Sequence, residues 1–143
     1  MMIDTIIGSQ FPAKVIPLIN EAKKSIDIIV FDWRWYANDS GASVQLFNHA
    51  IVRAVRRGVR VRGVVNSNDI LGVLNAQGCH FKKLITKNLV HCKMMIIDEK
   101  HVVIGSHNYT QMAFQMNYEI SVLLRDVDNI SDFFNFFNNL YGN

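Results

Sequence analysis

A chain of 143 residues fits one domain of ordinary size, and 1–143 is read as a single domain. Half of the residues are hydrophobic and 19% are charged, which excludes a disordered chain and allows a buried core. The net charge of +3 and pI near 9.0 permit a polyanionic partner without demanding one.

No apolar run approaches the ~18 residues of a membrane span. Met1 to Gln10 lacks the basic start and long apolar stretch of a secretory signal. Cys79 and Cys92 make neither a disulfide framework nor a zinc spacing, and both read as free thiols. These features predict a cytoplasmic protein with no stable membrane association.

Lys14 to Lys24 reads as a helix with Pro17 in its first turn, where a missing N–H costs little. Ser25 to Phe31 is β-branched and apolar, as a buried strand requires. Ser43 to Arg57 follows as a helix with an apolar stripe at Phe47, Ala50, Ile51, Ala54 and Val55, and Gly58 suits its end. Val59 to Val65 is a second buried strand, Asp69 to Ala76 a short helix, and Phe81 to Ile85 a short strand. Strands are expected near Leu89 to Asp98, His101 to Gly105 and Tyr118 to Leu124. Val127 to Tyr141 closes the chain as a helix, with Ile130, Phe133, Phe134, Phe137 and Leu140 at helical spacing. A β-α-β first half and an antiparallel second half predict an α/β fold. Its mixed parallel/antiparallel sheet carries helices on both faces.

Val90 to Thr110 carries the chemistry. In a strand, His91 and Lys93 share one face. A turn at Glu99 and Lys100 would set Asp98 opposite His101, Lys93 opposite Ser106 and His91 opposite Asn108. Gly105 would let backbones approach there. An imidazole, an ammonium, a carboxamide and a hydroxyl on one patch suit a phosphoryl group. Lys93 supplies charge, Asn108 and Ser106 supply neutral donors, and His91 is the nucleophile or proton carrier. No carboxylate cluster accompanies them, which favours a mechanism without a metal or other cofactor.

His91-x-Lys93-x4-Asp98-x6-Gly105-Ser106-x-Asn108 resembles the H-x-K-x4-D-x6-G-S-x-N signature of the phospholipase D superfamily at every fixed position. Asn117-x-Glu119 resembles its later acidic position, while EAKKSIDIIVF and AVRRGVRVRGVV resemble its earlier helix–strand passages. The resemblance implies a phospholipase D-like fold and a two-step reaction. One histidine forms a phosphohistidine. A second, from another motif copy, protonates the leaving oxygen and then activates water. With one copy per chain, it implies a homodimer with both His91 side chains at the interface. It also implies phosphate binding by Lys93 and Asn108, and a hydrogen bond that Glu119 accepts from a histidine N–H, which sets that ring's tautomer. Asp98 has the opposite parity to His91 and is expected to hold the hairpin through backbone hydrogen bonds. His107, by parity, is structural.

The signature identifies a phosphodiester and not the group attached to it. Small size, a single motif and an arginine cluster favour a nuclease acting on DNA or RNA, since small single-motif relatives are often nucleases. The alternatives are a lipid-hydrolysing phospholipase D and a nucleic-acid-binding module without turnover. Candidate nucleic-acid contacts are Arg53, Arg56 and Arg57 within the run to Arg62, and Trp33, Arg34 and Trp35 after the first strand. For Trp33 and Trp35 the reading as core or dimer contacts stands ahead of base stacking, and the arginines read equally as a solvated helix face.

Overall fold

The computed structural model describes residues 1–142; Asn143, the last residue of the expected domain, lies outside them. The elements run β1 (Met2–Ile7), a 3-10 turn (Gly8–Gln10), α1 (Phe11–Glu21), β2 (Ser25–Val30), α2 (Ser43–Arg56), β3 (Arg60–Val65), α3 (Asn68–Ala76) and β4 (His80–Lys82). Then follow β5 (Met94–Ile97), β6 (His101–Gly105), α4 (Gln111–Gln115), β7 (Ile120–Arg125) and α5 (Ile130–Tyr141). Seven strands form one sheet in the order β1-β7-β6-β5-β2-β3-β4. The pairs β2–β3 and β3–β4 are parallel and the others antiparallel, so the mixed sheet is as expected.

β2 lies between β3 and β5 and is buried along its whole length, which its Ile- and Val-rich sequence requires. One face of the sheet packs on α1 to α4. There Phe11, Phe47, Tyr109 and Phe114 interlock, the Phe11 and Phe114 rings stacking with centroids 4.9 Å apart. The other face is covered by α5 through Phe133, Phe134 and Phe137. A buried ion pair lies under α5: Arg62 Nε donates to Asp27 Oδ1 at 2.6 Å, and the guanidinium lies 4.9 Å from the Phe137 ring centroid. Burial pushes the Asp27 carboxyl up, against the pull of Arg62.

Several local expectations are corrected. β1 and α4 were not anticipated. β1 is an edge strand with only Ile6 buried, so its sequence carries no core-facing alternation. Helix α1 starts at Phe11, which puts Pro12 in the first turn and Pro17 inside the helix. Burial of Phe11, Val15, Leu18 and Ile19 holds that helix despite the lost hydrogen bond. The long strand expected from Leu89 is a ladder only over Met94–Ile97, and the segment 83–93 is irregular. The β5–β6 turn has three residues, because Ile97 pairs with His101. Asp98 and Glu99 both take φ of 55°, a conformation that lets the chain reverse there. The register therefore shifts by one: Gly105, and not Ser106, lies beside Lys93, and the Gly105 N–H donates to the Lys93 carbonyl.

Candidate active site

The shifted register would put Ser106 and Asn108 on the wrong face if β6 continued as a regular strand. It stops at Gly105 instead. Residues beyond β2 pair in parallel with residues beyond β6: the Tyr109 N–H donates to the Asp32 carbonyl at 3.0 Å and the Arg34 N–H to the Tyr109 carbonyl at 3.0 Å. That pairing seats Asn108 beside Asp32, whose N–H donates to Asn108 Oδ1 at 3.1 Å. With its oxygen engaged, the carboxamide offers its N–H₂ end to a ligand. His91 meets the same segment, its ring centroid 4.9 Å from that of Phe31. His91 is exposed, and Lys93 Nζ lies 3.3 Å from its Nδ1. Imidazole, ammonium and carboxamide therefore gather around Phe31 and Asp32, at the carboxyl end of β2.

Gly105 is required by closeness: a Cβ there would collide with the Ser121 backbone and the Ile120 carbonyl. Ser106 follows it. The Ser106 hydroxyl donates to Glu119 Oε1 at 2.6 Å and accepts from the Ile120 N–H at 3.0 Å. Its one proton is thus committed to Glu119, so Ser106 orients that carboxylate and offers the expected phosphate no O–H donor. Glu119 also accepts from Asn117 Nδ2 at 3.1 Å. Among the described residues no histidine bonds Glu119.

The other signature positions are structural. Asp98 accepts from the backbone N–H groups of Lys23, Lys24 and Ser25, at 2.7 to 3.1 Å. It therefore ties the hairpin to the α1–β2 loop, and not to itself as expected. Partial burial pushes its carboxyl up, but those donors outweigh it and hold the pKa below the usual carboxylate range. Asp98→Ala is expected to cost about 1–3 kcal/mol in denaturant unfolding at neutral pH. A lowered folded-state pKa lends stability above the ordinary carboxylate range and loses it as pH falls through the lowered value. The gap between wild type and variant should therefore close in acid; a gap constant with pH would refute this role.

His107 is buried, as its parity suggested. Its Nε2 donates to the Gly8 carbonyl at 2.9 Å, which leaves Nδ1 to accept from the Ser121 hydroxyl at 2.7 Å. Burial pushes its pKa down, so it is a neutral core residue.

The expected nucleic-acid contacts fare differently. Trp33 is fully buried, donates through Nε1 to Asn48 Oδ1 at 2.6 Å, and cannot stack a base. Trp35 is half-buried against the core and His49, and Arg34 is exposed and paired with Asp32 at 2.8 Å. Arg57 donates to the Ile19 and Ala22 carbonyls at the end of α1, Arg53 to Asn20 and Arg56 to Gln77. These partners lie toward the Arg60 end of β3, whereas His91 lies beyond its Val65 end, roughly 20 Å along the strand. The cluster braces helix ends, and the structure does not bring it to the site.

Two cavities that the sequence did not signal lie near the site, one lined by His91 and one by its neighbour Phe31. One, of about 480 Å³, is largely apolar and lined by Leu89, Val90, Cys92, Phe136 and Leu140 beside His91 itself. Exposed Leu89 and Phe136 mark its rim. The other, of about 310 Å³, is polar and lies beyond Phe31, between Arg34 and the start of α3. Both cysteines are free, and burial pushes the Cys92 thiol up and the Cys79 thiol to about 12. Among the described residues no three His, Cys, Asp or Glu side chains gather to hold a metal ion.

A family model described as "Cardiolipin synthase, PLD-like domain" matches residues 15–141. The chain belongs to the phospholipase D-like family. The probable cardiolipin synthase YwiE of Bacillus subtilis is 28% identical over 123 residues, covering 79% of this chain and 23% of that protein. The chain spans about half or less of the length of the curated relatives it matches. Two solved structures share the fold nearly end to end. NucT from Helicobacter pylori has a TM-score of 0.79 at 20% identity, over 96% of this chain and 94% of that one. Nuc from Salmonella typhimurium, a phospholipase D family member, has a TM-score of 0.80 at 21% identity, over 96% and 93%. No helix of the described residues is long and apolar enough to cross a membrane.

Proposed function

We propose that this chain is one protomer of a homodimeric phosphodiesterase that cuts nucleic acid without a metal, through a phosphohistidine. The observation that carries the reading is an exposed His91 with an ammonium and a carboxamide gathered near it and, among the described residues, no second imidazole bonded to it or stacked on it. His107 is locked in the core, and His101 Nδ1 accepts from the Asp126 N–H. His49 packs on Trp35, and His80 sits on edge strand β4. A second copy of the chain supplies the missing group.

In the first step a His91 ring nitrogen attacks phosphorus, a P–N bond forms, and the P–O bond to the leaving group breaks. The partner copy's imidazolium gives its proton to the leaving oxygen. In the second step that imidazole takes a proton from water, the water oxygen attacks phosphorus, and the P–N bond breaks to restore His91. Lys93 and the Asn108 N–H₂ bind the non-bridging oxygens as charge builds on them. Glu119, held by Ser106 and Asn117, is left to accept from a histidine of the partner copy. Exposed Met116, Tyr118 and Ile120 flank Glu119, an apolar surface of the kind that association covers.

Nucleic acid is favoured because the chain matches NucT and Nuc over nearly their whole length but only a quarter of the cardiolipin synthase. A lipid phosphodiester is the second reading, and the apolar cavity beside His91 favours it: an acyl chain could lie there. One assay separates the two. DNA and RNA are expected to be cut in excess EDTA, with phospholipid headgroup release far slower. Complete loss of cleavage with chelator would reject the metal-independent reaction, and faster headgroup release would make the lipid the substrate.

A further inference from the structure

The polar cavity beyond Phe31 has no part in the reaction as described. It opens at the carboxyl ends of the parallel strands β2 and β3, where open α/β sheets place their ligands. Phe31 lines it, and the Phe31 ring lies 4.9 Å from the His91 ring, so the cavity is one side chain away from His91. At about 310 Å³ it is at the small end of ligand pockets, enough for one compact group and not for a folded strand.

The chemistry of its wall selects that group. Asp32 and Asp69 line it with Arg34, which pairs with Asp32, and Lys83 reaches its Asn68 rim, so the lining holds no cluster of free cations to grip a phosphate. Asp32 Oδ1 is engaged by Arg34 Nε at 2.8 Å and by the Ser67 hydroxyl at 3.2 Å. Asp69 accepts no hydrogen bond from any described residue. Asn68 accepts from Lys83 Nζ at 3.4 Å, and Asn66 donates through Nδ2 to the Val90 carbonyl at 3.3 Å. The Asn68 N–H₂ group, the Asn66 carbonyl oxygen and the Asp69 carboxylate are left to meet a ligand edge. One aromatic wall and a rim of mixed amide and carboxylate groups match a flat heterocycle with an amino group on its edge.

Building on the nuclease reading, we propose that this cavity binds one nucleobase of the strand being cut, at a fixed position beside the scissile phosphodiester. Asp69 and Asn68 favour bases that carry an exocyclic amine over thymine or uracil. Carboxylate accepts from the cytosine amine, and carboxamide pairs with the adenine edge. Asp69 and Asn68 are specificity residues and touch no reacting atom.

The test is limited digestion of a mixed-sequence single-stranded DNA with the full chain, followed by sequencing of the cut ends. Wild type is expected to show about a fivefold to tenfold bias against thymine at one position next to the cut. Asp69→Ala and Asn68→Ala should flatten that bias to within about twofold. Both positions are exposed, and Asp69→Asn gives a near-isosteric control that should also lose the preference for cytosine. Cleavage with no bias, or with a bias unchanged in Asp69→Ala, overturns this assignment and leaves the nuclease reading standing. No cleavage of any nucleic acid, with phospholipid hydrolysed instead, overturns both.

Discussion

The His91→Ala variant is expected to lose cleavage by a factor on the order of 10⁴ or more while its melting temperature stays within a few degrees of wild type. The two halves of that result test different things. A nucleophile that forms the covalent intermediate has no substitute, because Lys93 and Asn108 can bind a phosphate but cannot carry it through a two-step path. The stability half follows from exposure. His91 touches Phe31 and Lys93 at the mouth of the apolar cavity, and truncating an exposed side chain there changes folding free energy by about 0.5 kcal/mol or less. Activity within about tenfold of wild type would remove His91 from the reaction. A large fall in melting temperature would mean that the ring is a packing element, as His107 is.

Much of this site was legible in the chain because its signature is fixed by chemistry. His91, Lys93 and Asn108 were found by residue type and spacing, and they gather at one end of β2. The β5–β6 register nevertheless differs by one residue from that of a two-residue turn. The turn at Asp98 and Glu99 adopts left-handed backbone at two non-glycine positions, a choice that side-chain pattern does not encode. Convergence survives because β6 ends and the Tyr109 segment pairs with the Asp32 segment, a contact far apart in sequence. Strongly patterned elements such as β2, α2 and α5 were readable, since each buries an uninterrupted or helically spaced apolar set. β1 was not, because a lone buried Ile6 gives no period. Composition misled most over the basic residues. The arginines cap helix ends and pair with Asp27 and Glu99, so charge counted along the chain was not charge displayed near His91. Trp33 had two readings, base stacking beside an arginine and core packing; the structure shows the second, its indole filling the core and its N–H finding Asn48. Neither cavity was visible, since each is shaped by segments that meet only in the fold.

The second large effect is expected from mixing. If one site needs His91 from two copies, a dimer holding one wild-type chain and one His91→Ala chain has either no nucleophile or no proton donor for the leaving oxygen. Equal amounts of the two chains, allowed to exchange fully, give wild-type pairs in about one quarter of all dimers. Cleavage should then fall to about one quarter of that of an all-wild-type sample at the same total protein, whereas independent protomers would retain about one half. A titration sharpens the contrast, because activity should follow the square of the wild-type fraction and not the fraction itself. Tyr118→Asp provides the control for association. Tyr118 is fully exposed beside Glu119, so a charge there should leave the folded protomer intact. On a covered apolar surface the same charge should shift the chain toward monomer and reduce cleavage at low protein concentration, with recovery as concentration rises. A linear titration together with a fully active monomer would show that each chain holds a complete site, and the protonation of the leaving oxygen would then have to come from within the protomer.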